Sequence, residues 1–443
     1  MTVTRRSVLA VLGGTAALPI WHMDALGEDL ARTYDAVREA YLYLLGRALV
    51  IRQEKIDSSS QGFTYNIIQY TPIGEADWVN PNLDTAYLQA WFAVGVDAPV
   101  IFEVPEIKDR YYTAQILDEW GEVIANINER TFPSKPFGKF ALVHPNSAAP
   151  LPPDVGRIEL HSSKAKLLGR VEIKSDKDVA LRLQHGFTAT VQGSSTVAPP
   201  PPMTMFDNKA LIGAAIFDDV DRTLSSALDV APNAAEMQQK VRAVAAHVAS
   251  GAQAQRVVDA HIRRIVPEFI EYAFTKSAPY RNHWVGGSPV GNYGANYRLR
   301  TVANYAGIWA NTIDEVIYFV AARDADEQAL NGSNSYGMHF AADKLPYMVV
   351  NAFWSIILVD VPGYRVVPNP LNRFNFNNYS PLKKQADGSL KIAVGPRPVA
   401  GVAASNWLPA PEGRAFSLTF RTYVPKDIVK RGEWAPPPVT KLN

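Results

Sequence analysis

Four consecutive prolines at positions 199–202 constrain this chain more than any other run in it. Each locks its own φ and lacks a backbone N–H, so four together cannot enter a helix or a central strand. They favour an extended polyproline stretch. The tract at 198–206 therefore reads as a linker, and the patterning differs on its two sides. From about 62 to 195, short alternating runs are punctuated by Pro, Gly and Asp. Val100-Ile-Phe-Glu-Val104, Tyr111-Tyr-Thr-Ala-Gln-Ile-Leu117, Arg157-Ile-Glu-Leu-His161 and residues 165–173 read as strands. Beyond the prolines, residues 233–250 are Ala-rich and favour helix, with Asn233 and Glu236 spaced as a capping pair. Further helices are expected over about 254–276, where Pro267 would kink the axis, and over about 302–322 through Trp309, Ile313, Val316 and Val320. Strands return at 354–360, 390–394 and 416–424. Ahead of the first strands, Leu30, Tyr34, Val37, Tyr41, Leu44 and Leu45 recur at helical spacing, opposite Glu28, Asp29, Arg32, Asp35 and Arg38, and predict an amphipathic helix over 27–53.

The extreme N-terminus has a different character. Arg5-Arg6 followed by the apolar stretch from Val8 to Ile20 fits an export signal, and the order Thr-Arg-Arg-Ser-Val-Leu looks like a twin-arginine signal. The stretch carries Gly13, Gly14 and Pro19 and is short for a membrane span. No other apolar run approaches that length, so the mature chain is expected to be soluble and periplasmic or secreted. The organisation expected is thus an α+β protein: signal 1–26, helix plus strand-rich domain 27–197, linker 198–206, mainly helical segment 207–323 and strand-rich domain 324–443.

Composition narrows the chemistry. The chain has no cysteine in its 443 residues, which excludes disulfides, thiolate metal sites and cysteine nucleophiles. Lys plus Arg number 44 and Asp plus Glu 43, a balance that disfavours a nucleic-acid partner. No P-loop, dinucleotide fingerprint, zinc motif or Gly-x-Ser-x-Gly elbow is present, so no cofactor is implied. The eight histidines form no paired metal motif. Asp324-Ala-Asp-Glu-Gln-Ala-Leu-Asn-Gly332 lacks the glycine and glutamate spacing of a calcium loop, and Asn331-Gly332 is a turn signal.

Two stretches are denser in polar and aromatic side chains than turns require. The first is Val79-Asn-Pro-Asn-Leu-Asp-Thr-Ala-Tyr87 followed by Pro105-Glu-Ile-Lys-Asp-Arg-Tyr-Tyr-Thr-Ala-Gln-Ile-Leu-Asp118. It resembles the bacterial domain-of-unknown-function family numbered 1254. The second runs from Tyr336-Gly-Met-His-Phe through Leu345-Pro346, Phe353-Trp-Ser355 and Asn369-Pro-Leu-Asn-Arg373 to Asn406-Trp-Leu-Pro-Ala-Pro411 and Tyr423. It resembles the companion family numbered 1214. The resemblance implies a mixed helix–strand protein with a β-sandwich-like C-terminal domain, often exported, and carries over no reaction.

From the residues themselves, Asp84 and Tyr87 are candidates for a cleft, with Asp84 as base or anchor, although Asn82, Asp84 and Thr85 equally suit an Asx-type turn. Arg110 offers a two-point fork for a substrate carboxylate, or else a buried pair with Asp84 or Asp118. Strand alternation puts Arg110 and Tyr112 on one face, and Tyr111 and Thr113 on the other. The catalytic set expected is Asp84, Tyr87, Arg110 and Tyr112, with Asn82 and Asp118 beside the substrate. The activity expected is hydrolytic or acid–base chemistry on a small polar or aromatic molecule. The rival reading is a non-catalytic binding or envelope protein, in which Asn372, Arg373 and Trp407 present amides and an aromatic face to a glycan. A homo-oligomer is compatible with either.

Overall fold

The computed structural model describes residues 33–73, 81–193, 196–361 and 363–442. The export-signal expectations and the start of the first helix lie outside them. Helix α1, Tyr34–Ser58, begins where Thr33 Oγ1 accepts from the Ala36 amide at 3.2 Å, with Asp35 in the first turn and Lys55 in the last, both favourable to the helix dipole. The amphipathic expectation holds only at its ends. From Ala40 to Ile51 every residue is buried, because the helix is wrapped on all sides. Even Arg47 is fully enclosed, donating to the Glu119 carbonyl at 2.8 Å and to Ser226 Oγ at 2.9 Å.

The first sandwich follows. Strands β1 (Gln69–Tyr70), β2 (Thr85–Ala93), β3 (Val100–Val104), β4 (Tyr112–Leu117), β5 (Val123–Ile127), β6 (Gly138–Val143), β7 (Gly156–Glu159), β8 (Lys164–Glu172) and β9 (Thr188–Val191) form two sheets. Their orders are β1-β2-β8-β4-β5 and β7-β6-β3-β9. Leu88, Phe92, Phe102, Ile116, Phe140 and Val171 are among the side chains closing the core between them.

Beyond the proline tract, helices α2 (Ala234–Ala249), α3 (Ala252–Thr275) and α4 (Tyr297–Ala306) pack around α1. The sequence grouped α1 with the strands that follow it; the structure makes it the centre of this helical unit, and it also seats Val50 against Trp91 and Leu117 of the first sandwich. Where α1 crosses α4 the approach is so close that a Cβ on Gly46 would meet Thr301 Oγ1 at 2.8 Å. Asn233 stands at the head of α2 but makes no capping bond; its amide reaches the Ala295 carbonyl instead, and Glu236 pairs with Lys240.

The helix expected over 302–322 is a correction. Helix α4 ends at Ala306, Ile308 and Trp309 turn with φ of 41° and 54°, and Val316–Ala321 is strand β12. The β-branched and aromatic run Val-Ile-Tyr-Phe-Val overrides a helical spacing that arose by coincidence. This strand belongs to the second sandwich, whose sheets are β10-β11-β12-β18-β14-β15 and β17-β16-β13-β19. The strands are β10 (Tyr280–Arg281), β11 (Trp284–Gly286), β12, β13 (Ser335–Phe340), β14 (Trp354–Asp360), β15 (Asn375–Asn377), β16 (Leu390–Gly395), β17 (Trp407–Pro409), β18 (Phe416–Tyr423) and β19 (Thr440–Leu442). The fold is α+β, as expected: two strand-rich regions separated by helices. Among the described residues no helix is long and apolar enough to cross a membrane.

Candidate functional site

The two sandwiches meet through the outer faces of two sheets. Side chains alternate along a strand, so a sheet with an apolar inner face presents its other set outward. In β2 the inner set is Ala86, Leu88, Ala90 and Phe92, and the outer set begins Thr85 and Tyr87. In β8 Val171 and Leu167 face the core, leaving Arg170 and Glu172 outside; in β4 Thr113 and Gln115 are outside. The opposing sheet does the same. Its core takes Ile317, Phe319, Ile356, Phe376, Leu418 and Phe420, and its outer face presents Tyr318, Ser355, Asn375, Asn377, Arg421 and Tyr423. An ordinary outer face is solvated. Here most of these polar groups are buried: Asp84 is 5% exposed, Arg170 3%, Arg421 3% and Ser355 0%.

The contacts across this seam are specific. Asp84 Oδ1 accepts from the Asn375 amide at 2.8 Å and from the Asn377 amide at 2.7 Å. Asn82 is a hub. Its Oδ1 accepts from the Asp84 N–H at 3.0 Å, and its amide donates to the hydroxyls of Tyr87, at 3.2 Å, and Tyr423. Arg170 is directly opposite Tyr87 in the β2–β8 ladder and opposite Thr113 in the β4–β8 ladder. Its guanidinium lies 5.3 Å from the Tyr87 ring centre and donates to Gln115 Oε1 at 2.7 Å. Tyr111 extends the seam: its ring stands edge-on to Tyr423, which stacks on Phe353 at 4.1 Å, and its hydroxyl donates to Glu315 at 3.0 Å. Arg130 holds the same Glu315 at 3.0 Å.

Electrostatics divide the acid and the phenol. Burial raises the Asp84 carboxyl above the usual range, against the pull of Asn377, Ser355, Arg421 and Asn375. Burial would raise Tyr87 as well. The Arg170 charge and its hydrogen bond, aided by Arg421 and Thr85, outweigh burial and bring the phenol below its ordinary value. Tyr111 and Tyr423 go the other way, well above theirs, because burial dominates. Tyr87 and Tyr318 remain only half-buried, so the layer is open to solvent beside them.

Next to this layer lies a cleft of about 250 Å³ lined by Asp109, Arg110, Tyr111, Arg130, Glu172 and Tyr379, among others. Tyr379 donates to Glu172 at 2.6 Å, and Glu172 in turn accepts from the Tyr111 amide at 3.0 Å. Tyr111 and Glu172 therefore form a wall shared by cleft and layer.

Of the residues singled out in the sequence, Asn82, Asp84 and Tyr87 are brought together. Arg110 sits on the rim of the cleft, pairing with neither Asp84 nor Asp118. Its Nη1 donates to the Glu172 and Ile173 carbonyls and straps the end of β8. Tyr112 does not share the site. Residue 110 lies before the strand, and Tyr112 enters the apolar core, its hydroxyl donating to the Pro136 carbonyl at 3.0 Å. Asp118 lies at the far end of β4, 2.8 Å from His161 and accepting from the Trp120 and Glu122 amides. Arg373 donates to the Ala404 and Trp407 carbonyls, the Trp407 indole donates to the Gly395 carbonyl, and Asn372 is an exposed turn residue with φ of 47°. The Asn-rich segment 369–378 reaches the site through Asn375 and Asn377. Sequence reasoning missed Arg170, Tyr318 and Arg421; the two arginines stand in expected strands, where a charge at alternate positions reads as facing water, and Tyr318 lay in the segment expected to be helical. Among the described residues no three His, Asp or Glu side chains gather as metal ligands.

Residues 64–191 match the model of a protein family of unknown function, DUF1254, and residues 315–427 match that of a second, DUF1214. The crystal structure of the VPA0106 protein from Vibrio parahaemolyticus is similar, with a TM-score of 0.67 at 21% identity over 93% of this chain and 100% of that one. This likeness shows a shared fold. The structure of an uncharacterized protein from Burkholderia cenocepacia aligns over 96% of each chain at 11% identity and a TM-score of 0.44. No curated protein matches the chain.

Proposed function

We propose that this protein is an enzyme that moves protons on a small polar molecule, in a hydrolytic or isomerising reaction, at the seam between its two sandwiches. The observation that carries this reading is the environment of the Tyr87 oxygen. It accepts from the Asn82 amide and lies beside the Arg170 guanidinium, so the groups around it favour its deprotonated form. Tyr87 then serves as the base. Asp84, whose carboxyl burial raises above its ordinary range, serves as the acid. Two titratable groups pushed in opposite directions within one site is the pattern by which acid–base roles divide. The adjoining cleft, about 250 Å³, falls below the usual 300–1,000 Å³ of drug-sized pockets and suits a small substrate.

The glycan-binding alternative draws less support. Arg373 and the Trp407 indole are engaged with backbone carbonyls of their own turns. Export by the twin-arginine route to the periplasm belongs to the same proposal and rests on Arg5, Arg6 and the apolar stretch after them. Lysine lacks the guanidinium fork, so Arg5→Lys with Arg6→Lys should retain the chain in the cytoplasm; unchanged export of the double variant would refute this.

The catalytic reading is tested by ultraviolet difference titration of the parent and Tyr87→Phe, followed by turnover of a panel of small esters, lactones and amides. One tyrosinate step should appear before the bulk of the tyrosines and be absent from Tyr87→Phe. Turnover should fall by about 100-fold or more in the variant, the range of a lost acid–base group. A parent in which no tyrosine ionises early would remove Tyr87 from the role of base.

A further inference from the structure

We infer that the molecule accepted at this seam is a small carboxylate, and that Arg170 is the residue that receives it. The inference rests on the acid–base reading above and adds the substrate class to it.

Arg170 is 3% exposed and permanently charged. A buried guanidinium ordinarily stands opposite a carboxylate, because an isolated charge removed from water is costly. Two other buried arginines of this chain stand beside acidic side chains: Arg47 has Glu119 at 3.4 Å and Arg300 has Asp229 at 2.8 Å. Arg170 does not. Among the described residues its partners are the neutral amide oxygen of Gln115 and the ring and hydroxyl of Tyr87, and its Nε meets no acceptor. The same layer holds further buried polar atoms short of a partner. Asp84 Oδ2 has none, and Ser355 Oγ leans on Asp84 and Thr85 Oγ1 on Tyr87 without completing a hydrogen bond. The site thus combines the Arg170 fork, alongside Arg421 in the same layer, with hydroxyls and a carboxyl that burial raises. That combination recognises an anionic, oxygen-bearing planar group, for which the arginine fork has the matching geometry. Arg110, the fork expected from sequence, is engaged with backbone carbonyls on the rim, whereas Arg170 sits inside the layer beside the base.

The chemistry also predicts a competition. A carboxylate on Arg170 neutralises the charge that holds the Tyr87 phenol down, so a bound anion should move the Tyr87 step to higher pH.

The test uses pairs that differ in charge alone: benzoate against benzamide and acetate against acetamide, added to the full-length protein. The expected result is that at least one carboxylate raises the melting temperature and moves the early tyrosinate step upward, while its amide does neither. Arg170→Gln should weaken that carboxylate's affinity by about tenfold or more. If Arg170→Gln does not fold, the upward movement of the Tyr87 step with benzoate but not benzamide reads the same contact in the parent. Amides that act as well as acids, carboxylate binding retained in Arg170→Gln, or no response to either acid would each overturn the inference. Its failure is separable from that of the acid–base reading: an early tyrosinate step without any carboxylate response rejects the substrate class and leaves Tyr87 as base.

Discussion

The Asn377 amide donates to the Asp84 carboxylate at 2.7 Å, joining positions 293 residues apart and tying the edge strand of the second sandwich to the first. Burial raises the Asp84 pKa and so disfavours its charged form, and an amide oxygen accepts the same donors. Asp84→Asn should change stability by less than about 1 kcal/mol at neutral pH. Asn377→Leu, which leaves the carboxylate one donor short, should cost about 1–3 kcal/mol. Denaturant titrations of both variants decide it. A loss of several kcal/mol in Asp84→Asn would mean that the ionised carboxylate is a structural clasp.

The second prediction concerns pH. Burial raises Glu119 and Glu122, at the junction of the helical unit with the first sandwich, from 4.5 to about 7. In the native state they hold protons that the unfolded chain releases. Their contribution is therefore complete below about pH 4.5 and is lost as pH rises through about 7. For Glu119 the shift corresponds to roughly 3 kcal/mol. Unfolding free energy should fall between about pH 5 and about pH 8, and Glu119→Gln should flatten the curve. A parent profile that rises across this window would contradict the assignment.

The pair of Arg300 with Asp229 lies in the same junction, two-pronged at 2.8 Å for each bond, with the Tyr43 hydroxyl donating to Asp229 at 2.6 Å. Asp229→Asn strands a buried guanidinium and should cost about 3–5 kcal/mol. Arg300→Met combined with Asp229→Leu removes both charges and should cost less than the single change. A double variant worse than either single would show that the network does more than balance its own desolvation.

Gly169 precedes Arg170, and a Cβ there would meet Leu88 Cγ at 2.6 Å. Gly169→Ala should destabilise by about 1–3 kcal/mol through overpacking, and Leu88→Ala in the same chain should recover part of the loss. Additive losses in the double variant would place the strain elsewhere.

The α+β class, the strands at 100–104, 354–360 and 416–423 and the helices after the prolines were legible because local periodicity and burial agree there. The 302–322 segment was not, because four apolar residues at helical spacing coincided with a turn followed by a strand. Asp84 and Tyr87 stood out through the polar density of their loop. Arg170 and Arg421 could not, since a charged residue every second position on a strand reads as facing water. Only the docking of one sheet on another, with hundreds of residues between them, reverses that reading.

Strands β2 and β8 carry two messages on alternate letters. Ala86, Leu88, Leu167 and Val171 write the core, while Thr85, Tyr87, Arg170 and Glu172 write the seam. The seam can therefore change by substitution at one parity while the sandwich stays intact at the other. A single-residue insertion in β8 would exchange the two alphabets at once, placing a guanidinium in the core and an aliphatic side chain beside Tyr87. Within this family of folds, indels in these strands should be far rarer than point changes at the seam positions.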